Sequence, residues 1–348
     1  MSGNRLAGDL DHVLEATREL WEDLRRERIF ITGGTGFFGC WLLESFAWAN
    51  ARLGLNASAL VLTRNVENFR IKAPALAADP AIKFHIGDVR SFEYPVGGFS
   101  HIIHAATDSS GDIYTVNPLG GFDTIVEGTR HTLEFARKCD ARKFLLTSSG
   151  AVYGKQPPEI AHVPEEYPGA PDPAYPGSAY GEGKRSAETL CSLYSRQYGI
   201  QTKVARCFAF LGPYLPLNAH FAVGNFMRDG LNGGPIVVKG DGTPHRSYLY
   251  AADLAIWLWT ILFRGDSCRA YNVGSESVCD IATLAQVVKD IVCPGGSIII
   301  SQEPQPGHPS ERYVPSTLRA RQELGLQDQV GLEDGIRRMV QWNLERQR

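Results

Sequence analysis

The 348-residue chain predicts an α/β fold, a Rossmann-type doubly wound parallel sheet with a smaller α/β substrate-binding C-terminal lobe. Three observations carry that prediction. Short apolar strands alternate with helical stretches from Arg28 onward, and a glycine-rich turn joins the first strand to its helix. Beyond Arg206 the alternation gives way to Pro- and Gly-rich connections between short strands such as Pro235–Lys239.

Taken in order, Asp9–Arg26 reads as an amphipathic helix with Leu10, Val13, Leu14, Thr17, Leu20, Trp21 and Leu24 on one face. Asp9 or Asp11 suits its N-terminal end, and Arg25, Arg26 and Arg28 suit its C-terminal end. Residues 1–27 therefore form an N-terminal unit that packs on the body or on a partner subunit. Arg28–Thr32 is the first strand, followed by a helix through Ala49. Ala59–Thr63, Ile82–Ile86 and His101–Ala105 are further strands; Gly120–Cys139 is a long helix and Lys143–Thr147 a fifth strand. Seven prolines in Gln156–Gly177 make that stretch a loop, which leads into a helix at Ser178–Tyr198. This assigns residues 28–205, with a return segment near 248–275, to a dinucleotide-binding domain. Residues 206–247 and 276–348 fall to the second lobe.

A net charge of −3 offers no electrostatic attraction for nucleic acid or an anionic membrane. The longest apolar stretches, Ala251–Phe263 and Ile29–Ala49, are interrupted by Asp253 or by glycines and fall short of the roughly 20 residues a membrane span needs. Met1–Asp9 lacks a charged-then-apolar export pattern, so a cytoplasmic protein is expected. Seven scattered cysteines without a Cys-x-x-Cys pair, and nine dispersed histidines, predict neither a disulfide framework nor a metal site.

Thr32-Gly33-Gly34-Thr35-Gly36-Phe37-Phe38-Gly39 lies between the first strand and its helix. Gly33 permits the tight turn, Gly36 lets the backbone approach a pyrophosphate, and Gly39 allows close helix-on-strand packing. Backbone N–H groups from Thr35 to Phe38, at a helix N-terminus, then hold the diphosphate. At the end of the second strand, Leu62-Thr63-Arg64-Asn65 has no carboxylate for a ribose 2′-hydroxyl. Arg64 instead suits a 2′-phosphate, which leans the cofactor towards NADP over NAD.

Tyr180 and Lys184 stand one helical turn apart, and Ser149 ends the fifth strand. A phenol with a pKa near 10 is a poor base at neutral pH, and an ammonium at i+4 favours its phenolate. Lys184 can also hold the nicotinamide ribose, and Ser149 can hydrogen-bond the substrate oxygen whose proton moves. In the second lobe, Arg246 and Arg312 are candidates for a substrate diphosphate, because a guanidinium binds phosphate oxygens in pairs. Cys207 and His245 read as packing groups rather than acid–base groups.

These residues, with Ser148-Ser149-Gly150-Ala151-Val152-Tyr153-Gly154 and Tyr180-Gly181-Glu182-Gly183-Lys184, resemble the extended short-chain dehydrogenase/reductase family in its nucleotide-sugar epimerase/dehydratase branch. The likeness runs from Arg28 to about Leu326. It implies that Asp88 and Val89, in Gly87-Asp88-Val89-Arg90, meet the adenine, and that Ala105 and Ala106, in His104-Ala105-Ala106, line the dinucleotide. It further implies that Thr107 touches substrate and that Asn225-Phe226-Met227 contacts the nucleobase through its backbone. It implies, too, a nucleotide-diphosphate sugar as substrate and a homodimer built on the helices Gly120–Cys139 and Ser178–Tyr198.

Departures from the family pattern narrow the reaction. Branch members that eliminate water carry Asp-Glu directly after the hydroxyl residue; here Gly150 and Ala151 stand there. The decarboxylating branch resembles the dehydratases in wanting Glu at position 151, and the 3,5-epimerising branch wants Cys there, so all three reactions are disfavoured. Two that need only the triad remain open: epimerisation at a hydroxyl carbon, usually C4, through a transient ketone, and NADPH-dependent reduction of a 4-keto-6-deoxy nucleotide-sugar. A dehydratase using other acids, an oxidoreductase on a non-sugar substrate and a non-catalytic dinucleotide sensor are the lesser readings. Ile125 and Ala209 replace asparagines of the family pattern, leaving Asn225 or His220 as substitutes at the pocket.

Overall fold

The computed structural model describes residues 4–107, 114, 116–307 and 309–347. Strands β1 (Arg28–Thr32), β2 (Ser58–Thr63), β3 (Ile82–Ile86), β4 (His101–His104), β5 (Lys143–Ser149) and β6 (Gln201–Cys207) follow one another with helices between most of them. Next come β7 (Phe210–Leu211), β8 (Ile236–Val238), β9 (His245–Ser247) and β10 (Leu249–Tyr250). The last are β11 (Ala270–Val273), β12 (Val278–Asp280), β13 (Ile298–Ile300) and β14 (Arg312–Tyr313).

Seven of these form one parallel sheet in the order β11-β6-β5-β4-β1-β2-β3. The chain leaves β1 for β2 on one side and returns to β4 on the other, so a crevice opens at the carboxyl ends of β1 and β4. Side chains of β1 alternate between two cores, as strand geometry requires. Ile29 and Ile31 face the helices Phe37–Leu53 and Ala251–Arg264. Phe30 faces Pro118–Lys138 and Ala179–Tyr198, where it meets Phe135 edge-on at 4.9 Å. Helices on both faces explain why the sheet's inner strands read as nearly unbroken apolar runs.

The N-terminal segment differs from the expected single helix. Ala7–Thr17 is α-helical, but Arg18–Leu24 tightens into a 3-10 helix. Thr17 donates its hydroxyl to the Val13 carbonyl and accepts the Trp21 indole N–H at 2.9 Å. Trp21 is thereby turned inward onto Trp259, with ring centroids 4.7 Å apart and no exposure of its own. The segment is part of the main core. The first crossover helix also runs on to Leu53, ending at Gly54 with φ 58°, and β5 reaches Ser149, two residues past the expected end.

The C-terminal part contributes three small sheets, β12-β9-β14, β13-β8 and β10-β7. Between them the helix Ala251–Arg264 and β11 rejoin the main sheet beside β6. No helix among the described residues is long and apolar enough to cross a membrane.

Candidate active site

The glycine turn is shaped by contacts that leave no room for side chains. Gly33 has φ 71°, and a Cβ there would lie 2.4 Å from the Ala105 carbonyl oxygen. A Cβ on Gly39 would lie 2.3 Å from the Gly34 backbone, so the helix can approach the turn only without one. Gly36 donates to the Gly33 carbonyl at 3.0 Å and precedes the helix Phe37–Leu53, whose first turn has no side-chain cap. Those N–H groups, together with the positive end of the helix, suit a diphosphate. Thr35 turns its carbonyl outward to Lys72 Nζ at 3.0 Å, and Phe38 packs edge-on against Phe210 at 5.0 Å beside Phe37.

The loop after β4 is tied to the same turn. Ala105 donates to the Thr32 carbonyl, and Ala106 to the Thr32 hydroxyl at 3.2 Å. His104 bridges Thr32 Oγ1 at 2.8 Å and Thr129 Oγ1 at 3.0 Å. Burial, seconded by the charge of Lys184, pushes His104 down to about 3, so it stays a neutral strut at physiological pH. This cradle fits a dinucleotide. Arg64 sits exposed just past β2. Asp88, expected on the adenine, pairs with its own neighbour Arg90 at 2.9 and 3.1 Å, and that guanidinium holds its carboxyl below the usual range. Val89 is buried, packed where Gly128 lacks a side chain.

Ser149 ends β5, and its Oγ accepts the Ala151 N–H at 3.1 Å, capping the short turn Gly150–Tyr153. Tyr180 and Lys184 enter from the helix Ala179–Tyr198. Lys184 is buried and donates to Thr107 Oγ1 at 2.6 Å and to the Thr147 carbonyl at 2.8 Å, with Nζ 5.9 Å from the Tyr180 ring centre. Thr107, expected on the substrate, is thus a partner of Lys184. Burial pushes Lys184 down to about 8 and pushes the Tyr180 phenol up, a rise partly offset by the Ser149 hydroxyl. In the chain alone burial dominates the phenol, where the sequence suggested that Lys184 would.

Arg246 and Arg312 arrive on adjacent strands, β9 and β14, with Arg312 opposite His245 and Tyr313 opposite Arg246. Arg246 donates to the His245 carbonyl at 2.9 Å and lies 5.9 Å over the Tyr313 ring. Arg312 Nε and His245 Nδ1 are buried without a hydrogen-bond partner among the described residues, and a guanidinium so placed suits an anion. Asn225 accepts from Arg228 at 3.2 Å, while the Phe226 side chain lies in the core, leaving only its backbone for a ligand. His220 lies against Phe221, with ring centroids 4.4 Å apart and the planes tilted by 37°. Ile125 is buried against Gly183, and the Ala209 backbone carbonyl accepts the Leu249 N–H, a bond independent of its side chain. Cys207 is buried and its thiol is pushed up to about 12, in keeping with a packing role.

Two features lay outside the sequence reading. Arg206 grips Glu188 at 2.7 and 3.0 Å and Tyr153 Oη at 2.9 Å; Glu188 accepts from Ser148 at 2.5 Å. This network binds the end of β5 to β6 and to the Tyr180 helix. Tyr313 places its hydroxyl 3.2 Å from Ser149 Oγ and 3.4 Å from the Cys207 carbonyl, with its ring 4.7 Å from that of Phe208. Its only sequence signal was adjacency to Arg312.

The family model described as "NAD dependent epimerase/dehydratase family" matches residues 29–274. UDP-glucuronic acid decarboxylase 1 of Arabidopsis thaliana is 31% identical over 317 residues, 91% of this chain and 69% of the relative. UDP-glucuronic acid decarboxylase 5 of the same plant is 32% identical over 309 residues, 89% and 87% of the two chains. Among solved structures, the dTDP-glucose 4,6-dehydratase DesIV of Streptomyces venezuelae, solved with NAD bound, superposes with a TM-score of 0.77 at 26% identity over 91% of this chain and 97% of its own. A UDP-glucose 4-epimerase of Thermotoga maritima shares the fold, with a TM-score of 0.76 at 22% identity over 92% and 100%.

Proposed function

The chain belongs to the NAD dependent epimerase/dehydratase family, in the nucleotide-sugar branch of the extended short-chain dehydrogenases, and from that premise we propose that it epimerises a hydroxyl carbon, C4, of a nucleotide-diphosphate sugar through a transient ketone. The observation that carries this reading is the meeting of Ser149, Tyr180 and Lys184 beside a site where Gly150 and Ala151 supply no further acid or base. Such a set serves proton and hydride exchange at one carbon and no elimination. The nicotinamide ring, when bound, takes up the hydride and gives it back. Tyr180 removes the hydroxyl proton and later returns it, and Ser149 hydrogen-bonds the same oxygen. Lys184 keeps its proton below about pH 8, and a positive charge 5.9 Å from the phenol ring favours the phenolate. Arg246 and Arg312 hold the diphosphate, with Asn225 and the Phe226 backbone near the base.

A second reading, decarboxylation of UDP-glucuronic acid, is favoured by the identity of the curated relatives. Its first step is the same oxidation. A C4 ketone stands β to the C6 carboxylate, so the C5–C6 bond would break with its electrons passing into the ketone and carbon dioxide leaving; C5 would then take a proton from solvent and C4 would regain the hydride held by the reduced nicotinamide, with no acid required at 150 or 151. Arg64, exposed past β2, supports use of NADP beside NAD; with NADPH the same triad would reduce a 4-keto-6-deoxy nucleotide-sugar and consume the cofactor stoichiometrically. Exposed Leu119, Leu193 and Tyr198 on the two helices of the expected interface support a homodimer, which light scattering tests.

The experiment separates the readings by product. The protein is incubated with NAD and either UDP-glucose or UDP-glucuronic acid, and the nucleotide-sugars are resolved by chromatography and mass. An isomer of unchanged mass from UDP-glucose supports epimerisation; a UDP-pentose with carbon dioxide from UDP-glucuronic acid supports decarboxylation. No product from either sugar and no reduced nicotinamide at any time would overturn both. Tyr180→Phe is expected to lower the active reaction by about 10²–10⁴-fold with the fold intact.

A further inference from the structure

We propose that Tyr313 is a positioning residue that fixes Ser149 as a hydrogen-bond donor towards the reacting sugar oxygen. The proposal rests on the reading of Ser149 as the partner of that oxygen.

A serine hydroxyl has one proton and two lone pairs. One lone pair of Ser149 Oγ already accepts the Ala151 N–H at 3.1 Å. The Tyr313 hydroxyl stands 3.2 Å away, nearer than its other acceptor, the Cys207 carbonyl at 3.4 Å. Either hydroxyl of this pair can donate; in this proposal the tyrosine gives its one proton to the nearer Ser149 and not to the Cys207 carbonyl. With both lone pairs engaged, the Ser149 proton is left the remaining direction. Without the Tyr313 hydroxyl, Ser149 is free to rotate its proton away.

The space for this phenol exists because residue 150 is glycine. A Cβ there would lie 2.9 Å from the Tyr313 hydroxyl and 2.6 Å from the Phe208 ring. The ring packs against Phe208, with centroids 4.7 Å apart, and the Arg246 guanidinium lies 5.9 Å over it. The missing acid at position 150 and the presence of Tyr313 are therefore one feature: the volume a carboxylate side chain would enter belongs to a hydroxyl that acts on Ser149. The site keeps proton exchange at one oxygen and forgoes a second acid.

The test is a set of variants of the full chain, Tyr313→Phe, Ser149→Ala, their combination, and Tyr180→Phe. Each is read by the single-turnover rate of NAD reduction with UDP-glucose and with UDP-glucuronic acid. Tyr313→Phe is expected to slow reduction about tenfold, the scale of one lost hydrogen bond in the transition state, with NAD and nucleotide-sugar affinities held within about twofold. On the Ser149→Ala background the same change is expected to do nothing further, because its partner is gone. A full rate in Tyr313→Phe overturns the proposal. So does a loss that persists in the double variant, as disturbed packing would give. If Ser149→Ala and Tyr180→Phe keep the parent rate, or the parent chain reduces NAD with neither sugar, the underlying reading fails and this one falls with it. If they are crippled while Tyr313→Phe is not, only the Tyr313 assignment fails.

Discussion

The glycine cradle and the wall of residues proposed to face the sugar meet at the ends of β1, β4 and β5, yet they are built in opposite ways. The cradle is eight consecutive residues acting through backbone groups, and its defining contacts are places where a Cβ cannot go, such as Gly33 against Ala105 and Gly39 against Gly34. The wall is made of side chains from separate segments: Ser149 on β5, Tyr180 on a helix, Arg246 on β9, and Arg312 and Tyr313 on β14. The contrast teaches that a site of the cradle's kind is written locally and tolerates little change. The substrate side can be respecified one side chain at a time while the cradle stands.

The sharpest way to break that contrast is Gly39→Ala. Its Cβ meets backbone, which cannot swing aside, and the overpacking is worth about 1–3 kcal/mol or more. Calorimetry is expected to show NAD affinity reduced on the order of 100-fold, if the variant folds at all. Normal binding would mean the cradle is not backbone-limited. Arg312→Ala, on the other wall, should weaken the nucleotide-sugar roughly tenfold to a hundredfold, the range of a charge-assisted hydrogen bond, and leave NAD affinity as it was. A matching fall in NAD affinity would erase the distinction between the two regions.

The smallest expected effect concerns pH. Burial lowers His101 to about 4 and His104 to about 3 from an ordinary 6.5. Between those values and 6.5 the unfolded chain binds more protons than the folded one, so stability rises with pH across the window and is lost as acid is added. His104 joins β1 to β4 beneath the cradle, so acid should loosen that side of the molecule. Melting temperature followed by circular dichroism is expected to fall by several degrees between pH 7 and pH 5; a flat profile would show that these imidazoles take up protons at no cost.

What the sequence disclosed follows the same division. The cradle, the Ser149 strand end and the Tyr180–Lys184 spacing were readable because each is a pattern within a few residues. The N-terminal helix was readable as an apolar face, but not its tightening into a 3-10 helix or the packing of Trp21 on Trp259, far along the chain. The bond from Lys184 to Thr107 joins residues 77 apart, which no local pattern in the sequence could show. Tyr313 was missed because 164 residues separate it from Ser149 and no periodicity links them. The sequence shows that Gly150 and Ala151 carry no acid or base; only the folded chain shows the Phe208 ring and the Tyr313 hydroxyl against position 150.

The indole pair of Trp21 and Trp259 has a practical corollary. The family match begins at residue 29, which makes the first 28 residues look dispensable. Val13, Trp21 and Leu24 are wholly buried, however, and each fills space under the sheet worth about 1.5–3 kcal/mol. Removing the first 28 residues alone would wet the flank of the Ala251–Arg264 helix and leave a hole of indole size beneath it, so the shortened chain is expected to lose stability and solubility.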